Sequence, residues 1–255
     1  MRFCAVFVMM IASVPACRPQ NLRFGGTFIG AVVVEDGVVI ASDSRSTFTD
    51  AAGEAVGYID GMGKVFVGRG GAFAVSGLTS VNGELFGSFI ERNDFLLARP
   101  ADEMLLGLSL WLPIQNSTNV LLISAGFLRD ETRICAKGPI RPQTCQASGY
   151  IANRESASLR RWHEAQTRPP GAEEAAAALR QAIMESGSAD PTVGGPVAIL
   201  HLRRSGPPQW LENLPQPSGW KTVCDIVRDY RLGRAFIHAS KSKAELDHHL
   251  SRACR

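Results

Sequence analysis

Gly25-Gly26-Thr27-Phe28-Ile29-Gly30 and, shortly after it, Glu35-Asp36-Gly37-Val38-Val39-Ile40-Ala41-Ser42-Asp43-Ser44-Arg45 form the stretch that decides the fold. β-Branched runs on both sides of an Asp-Gly pair read as two antiparallel strands joined by a tight turn. Branched side chains fit a pleated surface, and Gly accepts the backbone angles a hairpin needs. Thr27 to Ser42 is therefore read as a hairpin. Lys64-Val65-Phe66-Val67 and Gly71-Ala72-Phe73-Ala74-Val75 make a second strand pair around Gly68-Arg69-Gly70. No helix follows that glycine cluster directly, so it reads as a turn rather than a phosphate cradle.

Beyond this pair the apolar period changes. Leu85, Phe86, Phe89 and Ile90 recur at helical spacing over 81–94, and Met104, Leu105, Leu108 and Leu112 repeat it over 101–115. Asn119 to Phe127 reads as a strand, and a strand pair surrounds Cys135 to Gln146. Helices are expected over 151–166 and over the alanine-rich 172–186, which opens with Glu173-Glu174 at the end of the dipole that favours acids. Pro196 to Leu202 reads as a strand, and 241–253 as a last helix. Strands and helices fall in blocks rather than alternating. That predicts an α+β fold of antiparallel sheets covered by helices, and a four-layer αββα sandwich fits the blocks.

The chain has 255 residues, 45% apolar and 20% charged, with 25 Gly and 14 Pro. This excludes disordered, collagen-like and coiled-coil chains and allows one large domain. The net charge is +3, and residues 201–255 hold ten Lys/Arg against five Asp/Glu. No aromatic stripe accompanies that basic tail, so it reads as a solvated surface and not as a nucleic-acid site. The five histidines are scattered and no Cys/His spacing suits a metal, so neither a metal nor a cofactor is expected. Arg2 and the apolar run from Phe3 to Ala16 read as a secretory signal over 1–16, too short to span a membrane. Cys17 directly after Val14-Pro15-Ala16 also suits a lipoprotein anchor. The expected place is the periplasm or the exterior, or the cytoplasm if the leader is not a signal. Removing 1–16 leaves Cys135, Cys145, Cys224 and Cys254 besides Cys17. Pairs Cys135–Cys145 and Cys224–Cys254 fit an oxidising compartment, although four cysteines allow three pairings.

The opening stretch resembles the start of mature proteasome β-type subunits and of the bacterial HslV protease, members of the N-terminal-nucleophile (Ntn) hydrolases. In that family a Thr after a Gly begins the mature chain, and an Asp and an Arg follow at fixed distances. Asp43 lies 16 residues and Arg45 18 residues after Thr27, which keeps both spacings. Lys64 matches the family's Lys at the third strand, though later in the chain. Val75-Ser76-Gly77, Ser148-Gly149 and Asp190-Pro191-Thr192-Val193-Gly194-Gly195 match further blocks in order. Val193 stands where the family has Ser. The resemblance covers about residues 25–203 and leaves 204–255 unmatched. It implies a propeptide over 17–26, an Ntn-hydrolase domain over 27–203 and a C-terminal extension over 204–255.

The resemblance implies a threonine hydrolase that cuts peptide bonds. Gly26-Thr27 would be cut autocatalytically, and the freed α-amine would then serve as base for the Thr27 hydroxyl. Lys64 would tune that hydroxyl and Asp43 would hold Lys64, with Arg45 ordering the loop. Gly77 would offer its N–H to the oxyanion, and Ser148 and Asp190 would orient the amine. Ser46, Met62, Val75 and Thr79 would line the first substrate pocket. Expected partners are a peptide or protein substrate and further copies of the chain, in a ring if the family's habit holds. Three alternatives stay open: a non-catalytic ring subunit, an amidase of the same fold acting on small molecules, and a secreted binding protein.

Overall fold

The structure is a computed structural model that describes residues 23–50, 52–77, 79–81, 83–111, 120–138, 142–213 and 219–254. The signal segment, Cys17 and the end of the helix expected over 101–115 lie outside the described residues. In chain order the strands are β1 (Arg23–Gly25), β2 (Ile29–Val34), β3 (Gly37–Ser42), β4 (Ser46–Thr49), β5 (Ala55–Ile59), β6 (Val65–Gly68), β7 (Gly71–Ser76), β8 (Ser80–Val81) and β9 (Glu84–Leu85). Helices α1 (Phe86–Arg92) and α2 (Ala101–Trp111) follow, with a 3₁₀ turn between them. Next come β10 (Leu121–Leu128), β11 (Glu131–Lys137), β12 (Thr144–Gln146) and β13 (Tyr150–Ala152), then α3 (Ala157–Glu164) and α4 (Ala172–Ala189). The chain closes with β14 (Ala198–Arg203), β15 (Gln209–Glu212), α5 (Val223–Arg231), β16 (His238–Ala239) and α6 (Lys243–Ala253).

Two five-stranded antiparallel sheets pack face to face, one in the order β13-β2-β3-β14-β15 and the other β12-β11-β10-β7-β6. Alternation along each strand decides what lies between them. Ile29, Ala31 and Val33 of β2, Val38 and Ile40 of β3, Ala72 and Ala74 of β7, and Ile123 and Ala125 of β10 share the layer between the sheets. The opposite faces go to the helices. Phe28, Val32, Val39 and Ala41 meet Leu179, Ala182 and Ile183 of α4, while Phe73, Val75 and Leu122 meet Phe86, Met104 and Leu108 of α1 and α2. This is the four-layer αββα sandwich expected from the blocks. Gly30 is where α4 comes closest, since a Cβ there would lie 2.9 Å from Leu179 Cδ2.

Three elements depart from the sequence reading. Ser80–Val81 and Glu84–Leu85 pair as β8 and β9, so α1 begins only at Phe86. Residues 150–152 pair as β13 with β2 instead of starting a helix. Ser156 then caps α3, accepting from Leu159 N at 3.2 Å. The basic tail also holds more structure than one helix. β15 extends the first sheet, and β16 completes a separate sheet ordered β1-β4-β5-β16. Helices α5 and α6 pack Val223, Ile226, Val227, Leu246 and Leu250 under Phe48, Val56 and Ile59 of β4 and β5 and under Met62 just after β5. Cys135 is disulfide-bonded to Cys145, and Cys224 to Cys254, which joins α5 to the end of α6. No helix among the described residues is long and apolar enough to cross a membrane.

Candidate active site

Thr27 sits just before β2 and is buried, 1% exposed. Gly26 before it takes φ +93°, and a Cβ there would lie 3.0 Å from Thr192 O. A side chain is thus disfavoured both by backbone angle and by space. The turn this glycine permits brings the Thr27 hydroxyl against its own preceding peptide group, where it donates to Gly26 O. The carbonyl oxygen of Thr27 accepts from Asn153 Nδ2 at 2.9 Å, Arg154 Nε at 3.2 Å and Ser76 Oγ at 3.5 Å. Gly77 follows Ser76 at φ +79°, at this same end of β7.

Asp43 and Lys64 form a fully buried pair, Nζ to Oδ1 3.1 Å with both side chains at 0% exposure. Nζ also donates to Gly26 O at 3.0 Å and to Arg45 O, so all three ammonium donors have acceptors. Asp43 accepts in addition from Phe28 N at 2.9 Å, Gly194 N at 2.9 Å and Arg45 N at 3.3 Å. Burial pulls Lys64 below the ordinary lysine range, against the attraction of Asp43. It pushes Asp43 up, against Lys64 and the N–H donors of Gly194 and Phe28. The Lys64 ammonium thus lies on the carbonyl oxygen that the Thr27 hydroxyl also touches.

Arg45 locks the surrounding loops. Its guanidinium makes two bonds to Asp60, at 2.9 and 3.1 Å, and a third to Pro191 O at 3.0 Å. It lies 3.8 Å above the Tyr58 ring. Gly194 and Gly195 are glycines because nothing larger fits. A Cβ would meet the Arg45 guanidinium at 2.9 Å at the first, and Ser44 Oγ at 2.7 Å at the second.

Asp190 ends α4. Its Oδ1 accepts from Thr192 N at 2.8 Å and Thr192 Oγ1 at 2.7 Å, and its Oδ2 from Arg154 Nη1 at 2.5 Å. Burial works against its ionisation, but the Thr192 hydroxyl and N–H and the Arg154 guanidinium outweigh burial and hold its carboxyl below the usual range. Val193 turns into the core, 1% exposed. The hydroxyl on Asp190 comes from Thr192 instead.

Ser148 is not in this site. Val33 N donates to Gly149 O at 2.9 Å, which places Ser148 at the far end of β2, about 20 Å from Thr27 at the usual rise per strand residue. There it lines a cleft with Glu35, His163 and Arg168. The register of β13 is the cause: Tyr150 faces Val32 and Ala152 faces Gly30, so the next residue, Asn153, reaches the Thr27 end. Asn153 grips that end twice, with Oδ1 accepting from Ile29 N at 2.8 Å. The signal in the sequence was Tyr150-Ile151-Ala152, a short strand ahead of the Ser156 cap.

The four pocket residues separate. Met62 and Thr79 line a cavity of about 810 Å³, together with Val65, Phe86, Trp220 and Lys221. Val75 is buried in the core beneath α1 and α2. Ser46 is fully buried at the start of β4, and the hydroxyls of Ser46 and Thr47 have no hydrogen-bond partner among the described residues. Trp220 and Lys221 belong to the tail, to which sequence reading gave no part in the site.

No family model and no curated protein matches the chain. Among solved structures it is similar to Anbu from Hyphomicrobium sp. strain MC1. A Gly-1 mutant of Anbu is 14% identical, with a TM-score of 0.54 over 75% of this chain and 89% of that one. A second Anbu structure is 14% identical, with a TM-score of 0.51 over 74% and 89%. One matched sequence block also fails in space, since Ser148 is remote, and Val193, where the family has Ser, is core. The proteasome β-subunit and HslV family named from the sequence is therefore corrected: the likeness found is to Anbu, and it is a likeness of fold alone, the αββα sandwich.

Proposed function

We propose that the chain is an N-terminal threonine hydrolase that exposes Thr27 by cutting its own Gly26–Thr27 bond and then cleaves peptide bonds. One observation carries this reading. The Thr27 hydroxyl rests on the Gly26 carbonyl oxygen, and the buried Lys64 ammonium, held by Asp43, donates to that same oxygen at 3.0 Å. In self-cleavage Oγ bonds to the Gly26 carbonyl carbon, the C–N bond breaks, and the departing amine takes the hydroxyl proton. Lys64 is placed to stabilise the oxyanion that forms on the way. Water then hydrolyses the ester, leaving a Gly26 carboxylate, a restored hydroxyl and a free α-amine.

In turnover the α-amine accepts the hydroxyl proton as Oγ attacks a substrate carbonyl, with the Gly77 N–H as the assigned oxyanion donor. An α-amine has a pKa of about 7.7–8.0, so a usable fraction is neutral near pH 7. A peptide is favoured over a small amide by β1. Arg23–Gly25 pairs antiparallel with β4, Gly25 facing Thr47, and an extended substrate can take that place after processing. The Ser46 and Thr47 hydroxyls, which have no hydrogen-bond partner among the described residues, offer it further bonds. Export across a membrane fits the two disulfides. Short fluorogenic peptides incubated with the purified chain test the activity. Turnover that vanishes in Thr27→Ala and partly survives in Thr27→Ser supports the proposal. Equal turnover in Thr27→Ala overturns it.

A further inference from the structure

Arg154 touches Thr27 itself, through the carbonyl oxygen of that residue, and sequence reading gave it no role. It follows β13 and the Asn153 clamp, and its guanidinium divides between two partners. Nε donates to Thr27 O at 3.2 Å and Nη1 to Asp190 Oδ2 at 2.5 Å. Resting on the threonine-hydrolase reading, we propose that Arg154 is a positioning residue for the base. It occupies Asp190 and places a positive charge beside residue 27, so that the α-amine freed at Thr27 stays neutral enough to accept a proton.

The charges around that amine make the argument. Asp43 and Lys64 neutralise each other from β3 and the start of β6. Arg45 and Asp60 do so on the loops beyond β3 and β5. Asp190, after α4, is left as the carboxylate that Arg154 balances. Its Oδ1 is already taken by Thr192 N and Oγ1, so Arg154 holds the remaining oxygen. Without the guanidinium that links it to residue 27, Asp190 would stand as an unbalanced anion and favour the ammonium, which is no base. The same guanidinium also contributes to lowering Lys64, behind burial and against Asp43.

The sign follows directly. A nearby cation lowers an amine's pKa, and removing it raises that value. The acid limb of kcat/KM should therefore move to higher pH in Arg154→Gln, by roughly one unit for a charge at this range. Arg154→Lys keeps the charge and should stay close to the parent. Arg154→Gln combined with Asp190→Asn should return the limb towards the parent.

The experiment uses the full chain after it has processed itself. The rate of acylation of the Thr27 α-amine by a small acyl ester is followed against pH, together with kcat/KM on a fluorogenic peptide. Only the neutral amine is acylated, so the first readout does not depend on hydrolysis. An upward shift of both in Arg154→Gln, with rescue by Arg154→Lys, supports the proposal. Slower turnover with both titrations unmoved overturns it and leaves Arg154 a merely structural clamp. A parent that begins at Thr27, shows the acylation shift in Arg154→Gln and cleaves no peptide would sink the hydrolase reading but not the charge effect. A parent that never begins at Thr27 sinks both.

Discussion

Lys64 is the residue on which most depends. It is fully buried, and its three acceptors are Asp43, Gly26 and Arg45. Lys64→Ala removes the cation at the Gly26 carbonyl and strands Asp43 without its counter-charge. Turnover should fall at least about 100-fold, in keeping with loss of a positioned oxyanion donor. Breaking a buried pair by removing one partner costs about 3–5 kcal/mol, so the urea midpoint should fall too. Asp43→Asn with Lys64→Met should recover part of that stability but none of the activity. Turnover within a few-fold of the parent in Lys64→Ala would remove Lys64 from the mechanism. Strand periodicity and the Asp-Gly turn account for Asp43 beside Phe28, whereas the meeting of Lys64 with Thr27 and Asp43 was implied only by the family resemblance. Asn153 and Arg154 were not legible in the sequence. They are set by the register of a three-residue strand, and 151–166 read more strongly as one helix.

At the scale of elements, the α3–α4 pair depends on Glu185. Its carboxylate accepts from Ser158 Oγ at 2.5 Å, Ser156 Oγ at 2.8 Å, and Ala157 N and Ser158 N at 3.1 Å each. The Ser158 hydroxyl, then Ser156 and the Ser158 N–H, hold its carboxyl down at about 2 against the ordinary 4.5. A depressed carboxylate adds stability that is fully present above its unfolded value and is lost as pH falls through its folded value. Stability should therefore decline between about pH 4.5 and pH 2. In Glu185→Gln that part of the pH dependence should disappear, and urea midpoints across this range check it. An identical slope in parent and variant would count against the bond set. The layered sheets were legible because apolar alternation fixes each strand's face. The small β8–β9 and β16 pairings were not, since two residues carry no readable period.

At the scale of the whole molecule, the tail completes the fold around the site. α5, β16 and α6 cover the β4–β5 hairpin, and Trp220 and Lys221 reach the cavity that holds Met62 and Thr79. The bond between Cys224 and Cys254 closes a loop with a sequence separation of 30, worth about 3–4 kcal/mol by chain entropy. Cys224→Ser with Cys254→Ser should lower the urea midpoint accordingly and raise KM more than it lowers kcat. An unchanged KM would show that the tail does not shape substrate binding. The sequence showed this region only as a basic extension with one helix. Its apolar residues are read as a surface against β4–β5 only when the fold brings the two together.

The claim beneath all of this is that Thr27 becomes the first residue of the working chain. Intact-mass and N-terminal sequence measurements on purified active protein test it most directly. The expected product begins Thr27-Phe28-Ile29-Gly30, while Thr27→Ala retains Gly26 and is inactive. An active protein that still carries Gly26 before residue 27, and loses nothing on Thr27→Ala, would contradict it.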